Sequence, residues 1–108
     1  MEPVVGYSRA VVAAGHVHVS GTAPIPRVGE PPQGAYEQAR LCLEIIGEAL
    51  SEAGASFADV VRTRMYVTDA AEWEEVGRAH GEGFSEIRPA SSMIVVAGLL
   101  DPRWRVEI

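Results

Sequence analysis

The chain has 108 residues, of which 47% are hydrophobic and 22% are charged, with a formal net charge of −6. This length suits one domain with one core, and the acidic balance argues against a nucleic-acid partner, because phosphate binding needs a basic surface. All nine basic side chains are arginines, which excludes Schiff-base chemistry on lysine and a P-loop lysine.

Targeting and redox features give a second set of expectations. No apolar run reaches the ~20 residues of a membrane helix, and the N-terminal residues lack the basic and apolar stretches of a signal peptide. The single cysteine, Cys42, suits a reducing compartment. We therefore expect one domain over residues 1–108, cytoplasmic, with neither a membrane nor a nucleic-acid partner.

The first third of the sequence predicts a β-hairpin followed by a loop. Residues 8–13 and 16–22 are strand candidates joined by a tight turn at Ala14 and Gly15. Val17 and Val19 alternate with polar neighbours, as in a strand with one apolar face. Prolines then interrupt the chain up to Pro32, which indicates a loop.

A long amphipathic helix is predicted over residues 35–53. Its apolar stripe repeats at three- and four-residue steps and consists of Tyr36, Ala39, Leu43, Ile46, Leu50 and Ala53. Gly54 is placed to end the helix in a left-handed conformation. Cys42 lies beside the stripe, where a small buried packing residue is the expected role, in preference to a reactive thiol.

The second half predicts strand, helix, strand and strand. Residues 60–67 alternate as a strand, and Asp69 with Glu72 forms a capping-box pattern. The helix that follows presents an apolar face of Trp73, Val76, Gly77, His80 and Phe84. Residues 91–96 and 104–108 are predicted to form the last two strands, paired as a hairpin.

The element order β-β-α-β-α-β-β predicts an α+β fold, with a mixed sheet and two helices packed on one face. The other face of that sheet then needs cover, which makes the chain a candidate oligomer. His16, His18 and His80 are too few and too scattered for a zinc site, so we expect no metal. His80 is expected to be a hydrogen-bonded, half-buried residue.

Five segments of the sequence, in order, resemble the RidA (YjgF-type) family. The opening G-Y-S-R-A-V is similar to the family's G-P-Y-S-Q-A, R-P-A-S-S-M to its R-P-A-R-S-C, and the closing V-E-I to its v-E-I-E. The segments together cover residues 6–11, 18–22, 55–63 followed by 66–69, 88–93 and 106–108.

The resemblance implies a chorismate-mutase-like fold and a homotrimer that binds a small metabolite between subunits. It also implies hydrolysis of enamine or imine acids, such as 2-aminoacrylate, to a keto acid and ammonia, without metal or cofactor. Glu107 matches the catalytic position. The substrate-binding positions of the family match Tyr7, Ser20, Ser91 and Met93.

Ser91 departs from the family pattern, because an arginine that grips the substrate carboxylate is usual there. Serine has no cationic fork, so an altered substrate is expected; Arg64, Arg88 and Arg105 are candidates to replace the missing cation. The alternative is a non-catalytic trimer that binds small ligands or a protein at the same clefts. Ribonuclease activity, also attached to the family name, fits the net charge of −6 least.

Overall fold

The structure is a computed structural model that describes residues 2–108. The helices and strands are α1 (Glu2–Val5), β1 (Ala10–Ala13), β2 (His16–Val19), α2 (Ala35–Glu52), β3 (Arg62–Val67), α3 (Trp73–Phe84), β4 (Ala90–Val95) and β5 (Val106–Glu107), with short 3-10 helices at Phe57–Asp59 and Ala70–Glu72. The predicted element order is confirmed from β1 to β5, whereas α1 was not predicted. β1, β2, β3 and β5 are shorter than expected, and β4 has the expected length.

The first hairpin forms as predicted. β1 and β2 pair antiparallel, with Ala10 opposite Val19. At the turn, Ala14 has a φ of 51° and Gly15 a φ of 78°, the two consecutive left-handed residues that match a tight hairpin to the twist of its strands.

The remaining strands are centred on β3, which pairs parallel with β4 and antiparallel with β5. Two backbone hydrogen bonds of 2.7 and 3.0 Å between Thr22 and Ile108 connect β5 to the chain just after β2. The strands thus form two sheets, β1-β2 and β4-β3-β5, which these two hydrogen bonds join just beyond the ends of β2 and β5.

The predicted hairpin of the last two strands is wrong, because β4 and β5 lie on opposite sides of β3. The reason lies in Gln38 of α2, whose side chain is fully buried. Its amide nitrogen donates to Arg103 O at 2.9 Å, and its amide oxygen accepts from Arg105 N at 2.7 Å. These bonds hold the approach to β5 against α2, on the β2 side of the sheet.

Both long helices pack on one face of the sheet, as predicted. The β3 residues that point toward them are Thr63, Met65 and Val67, all of which are buried. The core that they share with the helices also contains Ala39, Cys42, Leu43, Val76, Ala79, Phe84 and Val106. Trp73, expected on the apolar face of α3, is 58% exposed because it stands at the first residue of the helix, at the edge of the core.

The opposite face of the sheet has no helix against it among residues 2–108. Arg62 and Arg64 of β3 are exposed there, and Tyr66 is half-buried. Ile94, which pairs with Tyr66, is 41% exposed. This face is the surface that the sequence pattern left without cover. None of the helices formed by residues 2–108 is long and apolar enough to cross a bilayer.

Candidate active site

Glu107 lies on β5 opposite Tyr66 of β3, on the sheet face that the helices leave open. Its side chain is half-buried and rests against Gly21, where an added Cβ would overlap the Glu107 Oε1 atom. None of the ion pairs within residues 2–108 involves Glu107. A partly buried carboxylate without a cation, in a niche made by a glycine, is available to accept a proton from a ligand or from water.

The segment beneath this niche is held by Arg9. Its Nη2 atom donates to Ser20 O at 2.9 Å and to Gly21 O at 2.8 Å, while the Ser20 hydroxyl donates to Ser8 O at 2.5 Å. Arg9 thus fixes the backbone on which the Glu107 carboxylate rests. The Arg9 Nε atom is buried and has no hydrogen-bond partner within the described chain.

Our sequence interpretation missed Arg9. The signal that could have found it is the arginine in the opening G-Y-S-R-A-V segment, where the RidA pattern has glutamine. Tyr7, two residues earlier, is 39% exposed. It lines a groove of about 550 Å³ together with Arg9, Leu41 and Ile45, so Tyr7 and Arg9 share one surface of the chain.

Ser91 and Met93 lie on the other face of the sheet from Glu107. Ser91 pairs with Thr63 and Met93 with Met65, and these two β3 residues point toward the helices, whereas Tyr66 points away. Ser91 accepts a hydrogen bond of 2.8 Å from the Thr63 hydroxyl. Met93 packs against the core. A single chain therefore does not bring Ser91 and Glu107 together, and their substrate contacts stay predictions.

The three arginines considered as replacement cations have different surroundings. Arg105 donates to Glu72 at 2.9 Å and to Gln33 O at 2.8 Å, so it is engaged within the fold. Glu72 was expected to complete the capping box with Asp69, but only Asp69 caps, accepting from Ala71 N at 2.9 Å.

Arg88 and Arg64 are less constrained than Arg105. Arg88 adopts a φ of 55° and donates to Ser85 O at 3.3 Å. Arg64 is exposed on the open sheet face and takes part in no ion pair within residues 2–108. Arg64 lies two residues before Tyr66 on β3, on the same sheet face as Glu107.

Cys42 and His80 both pack within the fold. Cys42 is fully buried, and burial, reinforced by the nearby Glu107 charge, raises its thiol pKa to about 12, which confirms the packing role. His80 is half-buried and bonds to Thr63 at 2.9 Å, as expected. Within the described range, no three metal-ligating side chains stand close enough together to hold an ion.

The chain is a small α+β domain with a chorismate-mutase-like fold, an open sheet face and a carboxylate set in a glycine niche on that face. The sequence profile of the Endoribonuclease L-PSP family matches residues 1–108. A RutC family protein from Pyrococcus abyssi is 34% identical over 100 residues, which cover 91% of this chain and 79% of that protein.

Solved structures agree with this match. A member of the YjgF/YER057c/UK114 family from Mycobacterium tuberculosis superposes with a TM-score of 0.90 and 45% identity, covering 98% of this chain and 85% of that one. RidA from an Antarctic Psychrobacter gives a TM-score of 0.87 and 30% identity, over 94% and 83% of the two chains. The chain belongs to the RidA/YjgF family.

Proposed function

We propose that this protein binds a small imine or enamine metabolite between subunits and hydrolyses it to a carbonyl compound and ammonia. The observation that carries the proposal is the Glu107 carboxylate, half-buried against Gly21 and outside every ion pair of residues 2–108. A carboxylate with these surroundings can orient a water molecule and take its proton.

The reaction needs no metal and no organic cofactor. Water, deprotonated by Glu107, adds to the imine carbon, and the C=N electron pair moves to the nitrogen, which takes a proton. The carbinolamine hydroxyl then loses its proton and the amine nitrogen takes one, so that the C=O bond forms as the C–N bond breaks and ammonia leaves. An enamine enters the same route after it takes a proton at carbon and becomes the imine. Tyr7 and Ser20 would orient the substrate or the water through their hydroxyls, and Arg9 would keep Ser20 and Gly21 in place.

The substrate is expected to differ from a simple 2-imino acid. With Ser91 at the position of the family's arginine, the cleft lacks the two parallel charge-assisted bonds that hold a carboxylate. A neutral or differently charged imine or enamine is therefore proposed as the substrate. We also propose a cytosolic location, in keeping with the single buried thiol of Cys42.

Hydrolysis of 2-iminopropionate, generated in the assay, tests the substrate assignment. We expect acceleration over buffer to be weak for the parent protein. Ser91→Arg should raise kcat/KM by about 10- to 100-fold, the value of one charged hydrogen-bonded contact. Fast hydrolysis that Ser91→Ala leaves unchanged would contradict the assignment and would indicate another cation, with Arg64→Gln as the next variant to measure.

We expect a homotrimer, since the sheet face that carries Arg64, Ile94 and Glu107 is uncovered in one chain and an exposed, partly apolar face is buried by association. Sedimentation equilibrium at micromolar concentration should give three times the 11.6 kDa chain mass. A stable monomer would remove both the trimer and the site between subunits.

The second candidate is a non-catalytic trimer that uses the same clefts to bind a small ligand or a protein. Two observations favour it: Ser91 is bonded to Thr63 within the fold, and Met93 packs against the core. Ligand binding without turnover, for a range of imines and their keto products, would make this candidate the better description.

A further inference from the structure

A chain of hydrogen bonds leads from the protein interior to Ser91. The Nε2 atom of His80, on α3, lies 2.9 Å from the Thr63 hydroxyl, which lies 2.8 Å from the Ser91 hydroxyl. Thr63 is only 9% exposed, and the His80 ring rests on Phe84 with centroids 4.6 Å apart. Ser91 is exposed, so the chain begins in the core and ends at the surface.

The hydrogen-bonded groups that lead to Ser91 are uncharged. Burial lowers the pKa of His80 below its ordinary value, which favours the uncharged imidazole. Arg62 donates to Ser92 at 2.6 Å, on the opposite face of the sheet, and Arg88 is bonded back to Ser85 O. The bonds that hold these two arginines direct neither of them to the Ser91 hydroxyl.

The exposed end of such a chain can donate or accept, depending on the imidazole tautomer. When Nε2 carries the proton, it donates to Thr63, Thr63 donates to Ser91, and the Ser91 O–H is left for a ligand acceptor. When Nε2 carries no proton, Thr63 donates to His80 and Ser91 donates to Thr63. The Ser91 oxygen can then accept from a ligand N–H. Each form presents a neutral partner, polarised by the bonds behind it.

We propose that Ser91 is the specificity-determining contact of the cleft, positioned by Thr63 and His80 to bind a neutral carboxamide-type group of the ligand in preference to a carboxylate. A carboxamide has one carbonyl acceptor and one N–H donor group, so it matches both forms of the chain. A carboxylate only accepts, and it needs compensation of its charge when it leaves water. The inference rests on the proposed function in assuming that the ligand enters at Ser91.

Binding of pyruvamide and pyruvate, two stable keto compounds of equal size, tests the inference without turnover. We expect pyruvamide to bind the parent protein more tightly than pyruvate in an NMR titration. Ser91→Ala should weaken pyruvamide binding by about 3- to 10-fold, the value of one neutral hydrogen bond. Ser91→Arg should reverse the preference. Equal binding of the two compounds, or no effect of Ser91→Ala, would overturn the inference.

Variants of the interior residues separate positioning from folding. Thr63→Val breaks the chain with little change in shape and should weaken pyruvamide binding as Ser91→Ala does, whereas Thr63→Ser keeps the hydroxyl and should restore it. Thermal unfolding of each variant checks the fold. If Thr63→Val folds poorly, Ser91→Ala, which changes an exposed residue, still decides the outcome.

The histidines supply an independent readout. The protein has three histidines, and within residues 2–108 only His80 is joined to Ser91 by hydrogen bonds, through Thr63. In protein labelled with ¹⁵N on its imidazoles, Ser91→Ala and pyruvamide should each shift the His80 Nε2 resonance. Those of His16 and His18, both exposed, should stay in place. If the His80 resonance does not move, the proposed hydrogen-bond connection from His80 through Thr63 to Ser91 is wrong. Pyruvamide preference without imine hydrolysis would leave this inference standing and refute only the proposed reaction.

Discussion

Glu107→Gln is expected to lower kcat for imine hydrolysis by about 10²–10⁴-fold, the range of a general-base contribution, with KM changed much less. Glutamine keeps the shape of the side chain and its place against Gly21, but it cannot take a proton from water. A carboxylate that orients water acts on the chemical step, so its loss appears in kcat more than in binding. Steady-state kinetics on the substrate that the parent hydrolyses fastest provide the measurement.

Two further variants sharpen this experiment. Glu52→Gln makes the same chemical change at an exposed residue of α2 and should leave kcat unaltered. Gly21→Ala places a Cβ on the Glu107 Oε1 position, so the carboxylate must move, and activity should fall although every ionisable group remains. If Glu107→Gln hydrolyses as fast as the parent, Glu107 is a surface residue of β5, and the binding-module description becomes the better one.

Gln38→Leu is expected to lower the free energy of unfolding by about 2–5 kcal/mol. Leucine has a similar volume, so the cavity contribution is small, and the main loss is of hydrogen bonds. The Gln38 amide nitrogen donates to Pro32 O at 2.7 Å and to Arg103 O at 2.9 Å, and its amide oxygen accepts from Arg105 N at 2.7 Å. Without it, three backbone groups lose their partner near the core, at about 1–3 kcal/mol for each one that water does not reach.

Urea unfolding at a fixed protein concentration measures this loss, because subunit association makes stability depend on concentration. Glu44→Gln, on an exposed position of the same helix, is the matched control and should stay within about 0.5 kcal/mol of the parent. An equally small effect of Gln38→Leu would show that water replaces the amide. Gln38 would then not be what holds the approach to β5 in place.

The sequence predicted local structure well, because local structure depends on near neighbours. The apolar stripe of residues 35–53 predicted α2, and Gly54 has the left-handed φ of 81° expected after its end. Ala14 and Gly15 predicted the first hairpin for the same reason, since two adjacent backbone conformations are enough to make the turn. The pairing of the last strands depended instead on Gln38, a residue distant in sequence whose polar side chain gave no sign that it would be buried.

The site divides in the same way. The resemblance to the RidA family predicted Glu107 as the candidate carboxylate and Ser91 as the position of the missing cation, and the apolar stripe of α2 predicted Cys42 as a packing residue. Only the tertiary structure placed Gly21 against Glu107, joined Arg9 to the backbone at Ser20, and connected Ser91 through Thr63 to His80. Composition and periodicity indicate which residues can face a core or carry a proton. The contacts named here join strands and helices that are far apart in the sequence. Their partners are therefore determined by the packing of the whole fold.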